Sequence, residues 1–440
     1  MKQLLTVWMV LVPAIAGAQP ASPLTLDDAI AQGLANSQRL AELQAHVEAA
    51  DFAEKGRHDA YLPTLSLQGG YTRTNHVEEF SVIAPGPARI VVYPDIPDNY
   101  RTRLDLQWPI YTGGRTDALI HAATAERTAA GKDLDAARAD LRLEITRAFY
   151  AVLTARETED VLRRSLDAAD AHLRDVRSRL QSGLIPPNDV SSAEAQVSHE
   201  RVLAVEASTL RGVAEADLQR LIGAPPGPLV LAEPKRADNP LFSNVTDSTA
   251  VADLIARALK GRPERQALEQ RAASAEFRAA GVSSSRWPQV GLGSGFDYSN
   301  PNPRNFPRND VWATSWDASI NFSWTLWDGG RRGSETGEAR ANATALRTRV
   351  GNFDRDATFE VRQRALELAS SRQAVSASDD EVRAATEAER VVGERYRAGV
   401  ATATDVLDAQ VARLQAELDR TRAVANVRLA EARLERAIGQ

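Results

Sequence analysis

A chain of 440 residues with a formal net charge of −6 at pH 7 and no cysteine can have neither a disulfide framework nor a thiolate metal site. It carries no basic block that would suggest a nucleic-acid partner. Beyond residue 18 no run of about 18 apolar residues appears, which excludes crossing a membrane as helices but not as strands.

The N-terminus reads as a secretory signal. Lys2 supplies the positive start, residues 4–15 are uncharged and mostly apolar, and Ala16-Gly17-Ala18 fits a small-residue cleavage site. Residues 1–18 are expected to be removed. Met1 and Met9 are the only methionines and leave with them. The mature chain then offers no soft sulfur ligand, which argues against copper or silver handling by a methionine relay.

The rest of the chain is written twice. Trp108-x-x-x-x-Gly113-Gly114-Arg115 recurs 216 residues later as Trp324-x-x-x-x-Gly329-Gly330-Arg331. The same spacing relates Arg179-x-x-x-Gly183 with Asp189-Val190 to Arg395-x-x-x-Gly399 with Asp405-Val406, and Ile222-Gly223 to Ile438-Gly439. This period is too long for a solenoid. It describes a duplicated domain: repeat 1 over 19–223, a proline-rich linker over 224–249, and repeat 2 over 250–440.

Each repeat opens with a helical segment, 26–57 and 252–281. Two segments of period-two alternation follow, 63–71 and 100–110 in the first repeat, 290–298 and 314–326 in the second. In the last, Trp316, Ala318, Ile320, Phe322, Trp324 and Leu326 alternate with Asp317, Ser319, Asn321, Ser323 and Thr325. One apolar and one polar face is the pattern of a half-buried strand. Lengths of about 9–13 residues suit a tilted transmembrane strand with interfacial aromatics. Trp108, Trp316, Trp324 and Trp327 are the candidates for those aromatics. Residues 76–99 and 300–311 read as exposed loops. Four strands are too few to close a barrel within one chain, and a sheet edge cannot be satisfied in hydrocarbon. Closure would need several subunits.

After each Gly-Gly-Arg turn comes a proline-free stretch, 116–181 and 332–398, of a length equal to roughly 100 Å of helix. Leu346, Val350, Phe353, Ala357, Val361, Ala365 and Leu368 form one helical stripe. Shorter helices, 189–221 and 405–438, return from the glycine turns in coiled-coil-like pairs.

Chemistry is sparse. His46, His58, His76, His121, His172 and His199 show no close ligand spacing and read as solvated positions. Gly291-x-Gly293-x-Gly295 lies inside a strand and is not read as a phosphate loop. No Walker loop, zinc-protease motif or nucleophile elbow appears. No catalytic residue, metal site or cofactor is expected. A periplasmic coiled-coil scaffold and an envelope hydrolase stay open as rival readings.

The order helix, strand, loop, strand, Gly-Gly turn, long helix, tip, helix, given twice, resembles the TolC family of outer-membrane efflux proteins. The most specific marks are Gly399-x-x-x-x-x-Asp405-Val406-Leu407-Asp408, Gly183-Leu184-Ile185-Pro186-Pro187-Asn188-Asp189-Val190 and Pro109-Ile110-Tyr111-x-Gly113-Gly114. The resemblance implies a mixed α and β membrane protein, a homotrimer whose four strands per subunit close a twelve-stranded transmembrane β-barrel in outer-membrane lipid. A periplasmic α-helical coiled-coil barrel would continue it. It implies an exit duct for tripartite efflux or type I secretion. The partners would be a periplasmic adaptor (membrane fusion) protein and an inner-membrane pump of the RND, ABC or MFS class.

By the same resemblance, Asp189, Tyr396, Asp405 and Asp408 match the periplasmic gate. Arg179, Gly183, Leu184, Arg395, Gly399 and Val400 match the adaptor-docking grooves. Asp405 and Asp408 would form threefold acidic rings that favour cations. Asp189 and Asp405 also begin helices, where a carboxylate serves the exposed N–H groups. Gly183 and Gly399 suit left-handed helix stops. One departure stands out: the family commonly has an arginine two residues after the second tip glycine, and this chain has Ala401, which leaves closure to Arg397 or another group, or leaves the closed state looser.

Overall fold

The computed structural model describes residues 23–83, 85–86, 89–232 and 240–439. The expected signal, residues 1–18, and part of the linker lie outside them. The chain forms two compact units. One comprises Gln38–Arg138, Leu254–Val361 and Ala437–Gln440; the other comprises Met1–Ser37, Ala139–Asp253 and Arg362–Arg436.

The helical openings of the repeats are each broken in two: α1 (Leu26–Asn36) and α2 (Gln38–His58), then α5 (Ser248–Gly261) and α6 (Pro263–Ser283). The second break has a local cause. Proline forbids the α region to the residue before it, and Arg262 is extended, with Pro263 at the first helical position. The first break follows Asn36, whose Nδ2 donates to the Ile222 carbonyl at 2.8 Å.

The first unit holds a four-stranded antiparallel sheet in the order β1-β4-β5-β6, made of β1 (Thr64–Arg73), β4 (Asp98–Tyr111), β5 (Gln289–Asn300) and β6 (Ala313–Ser323). Its register sorts the side chains into two faces. Leu67, Leu104, Phe296 and Trp316 stand in one row, and Leu106, Ser294 and Ala318 in the next. Gln68, Arg103, Asp297 and Ser315 form a row on the opposite face. The apolar face is exposed in the single chain: Leu67 at 70%, Trp316 at 71% and Ile320 at 74%. Among the described residues β1 and β6 each keep one unpaired edge.

Two features differ from the alternation pattern. The expected loop 76–99 contains a short hairpin, β2 (Phe80–Ile83) paired with β3 (Arg89–Tyr93). The strand expected over 314–326 stops at Ser323, so Trp324 and Trp327 lie beyond it. There the Trp324 indole N–H donates to the Arg286 carbonyl at 3.0 Å. The Asp328 carboxylate accepts the Gly330 and Arg332 backbone N–H groups at 3.2 and 3.1 Å. These bonds replace the ladder, and side-chain periodicity does not register them. Trp108 does the same in the first repeat, donating to the Tyr61 carbonyl at 2.9 Å.

The second unit is helical. The long helices α3 (Arg115–Gln181) and α7 (Arg331–Arg397), 67 residues each, contribute to both units. Their return helices are α4 (Pro187–Ile222) and α8 (Ala403–Ala437). On the α7 stripe Ala357, Val361, Ala365 and Leu368 are buried. Ala169, Leu173, Ala193 and Val197 close α3 on α4. In a separate cluster Val161 and Leu162 of α3, Ala207 of α4 and Leu414 of α8 pack together. The fully buried Glu159 is paired with Arg163 at 2.5 Å and Arg211 at 3.0 Å, as a carboxylate removed from water requires.

Candidate functional site

Two turns join the long helices to their return helices, and the same chemistry closes both. Gly183 has φ 70° and Gly399 has φ 78°, a left-handed conformation that costs other residues roughly 1–2 kcal/mol. The Gly183 N–H reaches the Leu180 carbonyl at 2.9 Å and the Leu184 N–H reaches that of Arg179 at 3.0 Å. At the second tip the Gly399 N–H reaches Tyr396 at 3.0 Å and the Val400 N–H reaches Arg395 at 2.9 Å. This double bond pattern is a Schellman stop, in which an apolar residue after the glycine commonly packs back on the third residue before the cap. Here that earlier residue is Arg179 or Arg395. Leu184 is left 72% exposed and Val400 63% exposed.

The starts of the return helices differ. Thr402 and Asp405 form a reciprocal capping box: the Thr402 N–H donates to the Asp405 carboxylate at 2.7 Å, and the Asp405 N–H to the Thr402 hydroxyl at 3.2 Å. The Thr402 N–H holds the Asp405 carboxyl below its ordinary value, helped by the Thr402 hydroxyl and the nearby Arg395. The helix that contains Asp189 starts instead at Pro186-Pro187, with no side-chain cap. Asp189 is half-buried near the Tyr396 ring, while Asp405 and Asp408 are exposed.

Tyr396 is 6% exposed. It packs with Ala403, Val406, Val392 and Ala401. The Arg179 guanidinium lies over its ring at 4.5 Å, within cation–π range, and Asp175 holds that arginine at 2.9 Å. The His172 ring meets Tyr396 at 5.8 Å. The structure thus brings Tyr396 and Arg179 together, with the Asp189 charge acting on the Tyr396 phenol, and leaves Asp408 exposed. Ala401 belongs to the apolar cluster around Tyr396.

His172 corrects the sequence reading, which took all six histidines as solvated. It is half-buried, and its Nε2 is enclosed without a hydrogen-bond partner, as is the Tyr396 hydroxyl. Burial pushes His172 below its ordinary value, with the Asp175 charge opposing and Arg179 assisting. Burial pushes the Tyr396 phenol up. No spacing signal marks His172, because its partner lies on the other repeat.

Among the aromatics, Trp108 near the end of β4 and Trp324 just beyond β6 lie ahead of the Gly-Gly turns, and Trp316 stands beside Phe296 on the apolar face, in the row next to that of Tyr298. Tyr71, Tyr100, Trp312 and Tyr298 form a ring-to-ring row at the far end, with centroids 5.1, 5.8 and 4.8 Å apart. An apolar band with aromatics near both ends of the strands is the pattern found in outer-membrane barrel walls.

The chain matches the outer membrane efflux protein family over residues 29–224 and 254–440 and belongs to it. The TolC outer membrane protein of Vibrio cholerae is 25% identical over 391 residues, covering 86% of this chain and 82% of that one. The cobalt-zinc-cadmium resistance protein CzcC of Cupriavidus metallidurans is 25% identical over 182 residues, 41% of this chain and less than half, 42%, of its own length. The outer membrane protein VceC of Vibrio cholerae superposes with a TM-score of 0.78 at 18% identity, covering 94% of this chain and 96% of that one. The fold is a trimeric transmembrane β-barrel, four strands per subunit, continued by a helical barrel and built by internal duplication. The protein is an outer-membrane efflux duct that extends into the periplasm and works with efflux-pump components.

Proposed function

We propose that this duct is the passive exit of a tripartite efflux or type I secretion system, receiving cargo from an inner-membrane RND, ABC or MFS pump through a periplasmic adaptor. The observation that carries this reading is the pair of tip turns, which present Leu184 and Val400 to solvent on matching Schellman stops. An adaptor would dock there, in grooves bordered by Arg179, Gly183, Arg395 and Gly399. The gate would close through the packing of Tyr396 against Arg179, with Asp189 beside it. Asp405 and Asp408 would contribute acidic rings, though the Asp405 carboxylate is already committed to its own helix start. Trp108 and Trp324 would anchor the periplasmic border of the barrel, with Trp327 beside them; Trp316 would face lipid inside it. Energy would come from the pump, and the duct would perform no catalysis.

The chain has no cysteine, so single cysteines at Leu184 and Val400 can be crosslinked without competing thiols in the chain itself. Capture of the periplasmic adaptor from both positions, together with export lost on charge reversal at Arg179 and Arg395, is the expected result. Trimers that export normally with both tips charge-reversed would refute the docking role.

A further inference from the structure

The polar face of the sheet carries a charge network that the tips do not explain. Arg103, on β4, bonds Asp105 two residues along the same strand at 2.6 Å. It also bonds Asp297 directly opposite on β5, and reaches over β5 to Asp317 on β6 at 3.1 and 3.3 Å. Arg101 adds a bond to Asp297 at 2.6 Å, and Arg304, from the loop after β5, pairs with Asp317 at 3.3 Å. The path across β5 exists because residue 295 is glycine: a Cβ there would collide with the Arg103 guanidinium. Three arginines face three aspartates, and their formal charges cancel. Asp297 is buried beneath them.

Since the opposite face is the apolar, lipid-type one, this network faces the barrel lumen, and threefold symmetry places three copies at one level. We infer that Arg103 is a selectivity-determining residue of the barrel, keeping its lumen neutral so that cationic and anionic cargo pass alike. Without it the network of each subunit would carry one net negative charge, and the three copies together three. A low-dielectric wall concentrates the field of such a ring. The inference rests on the duct assignment but not on the gate or docking roles given to the tips.

A single cysteine at Ser319, on the same polar face, reports the local potential by its rates with cationic and anionic methanethiosulfonates added from outside. This readout does not require an open gate. R103Q is expected to raise the cation-to-anion rate ratio about threefold or more. R103K should leave the ratio near that of the parent, and R103Q combined with D105N should restore it. D105N alone leaves positive charge in excess and should lower the ratio, so the test survives if R103Q fails to assemble. A ratio unchanged by charge variants that form heat-labile trimers like the parent's would overturn the inference and leave Arg103 as a strand clamp. Cysteines at Leu184 and Val400 that fail to capture an adaptor would strike the tip reading alone.

Discussion

The two helix tips close with the same turn and begin their return helices by different means. Around Gly183 and Gly399 the backbone bonds agree within 0.1 Å. Three residues later one copy has Pro186 and the other has Thr402. Proline lacks the N–H that Thr402 gives to Asp405, so the first tip has no capping box and Asp189 is left to the surroundings of Tyr396. Duplication preserved the stop signal, whose geometry only a left-handed residue satisfies. It let the start signal diverge, because proline and a capping box both begin a helix. The second tip also carries Tyr396, where the first has Leu180 at the equivalent place. The aromatic from repeat 2 joins the tips by packing on Arg179 and His172 of repeat 1.

That asymmetry can be broken most sharply at Tyr396. Tyr396→Ala should cost about 3 kcal/mol locally and raise the single-channel conductance of purified trimers in planar bilayers. Leu180→Ala should do less, and equal effects would mean that the tips share the closure evenly. Gly183→Ala and Gly399→Ala should each cost about 1–2 kcal/mol and lower trimer melting by the same amount, since the turns are the same. Thr402→Ala removes one cap, worth about 1 kcal/mol, and hydrogen exchange should quicken at the start of α8 while α4 is unaffected.

Acid should act on the tips through His172, which has Ala388 as its counterpart. Its value in the fold lies below that of the unfolded chain, near 6.5. Its contribution is therefore complete above that pH and is lost as pH falls through the folded value. Conductance should rise on acidification from about pH 7 to pH 5, and His172→Gln should flatten that rise. The smallest change is expected from Tyr396→Phe. It removes a buried hydroxyl that has no partner, so stability should hold or improve slightly, as read by trimer melting.

Much of this was legible in the amino-acid order. The repeat spacing, the two long helices to within a residue at each end, and the four barrel strands follow from periodicities that each residue reports locally. The break at Arg262 was missed in the segment 252–281, although Pro263 marks it locally. The β2–β3 hairpin was missed too, as was the end of β6 at Ser323, where the Trp324 bond to the distant Arg286 backbone and the local Asp328 bonds at the helix start outweigh continued alternation. At the tips, the glycine stops and the capping role of Asp405 were readable, because caps are local.

What the order of residues determined by itself is therefore whatever a few neighbouring residues can satisfy: helix stops, helix starts, strand faces and the duplication that carries them. The tertiary structure decided what depends on residues far apart in the chain. It set Tyr396 between Arg179 and His172, left Leu184 and Val400 without cover, and let Arg103 reach Asp317 across Gly295. The physical reason is that burial, ion pairing and cation–π contact depend on distance through space, and more than 200 residues of sequence separate the partners that meet there.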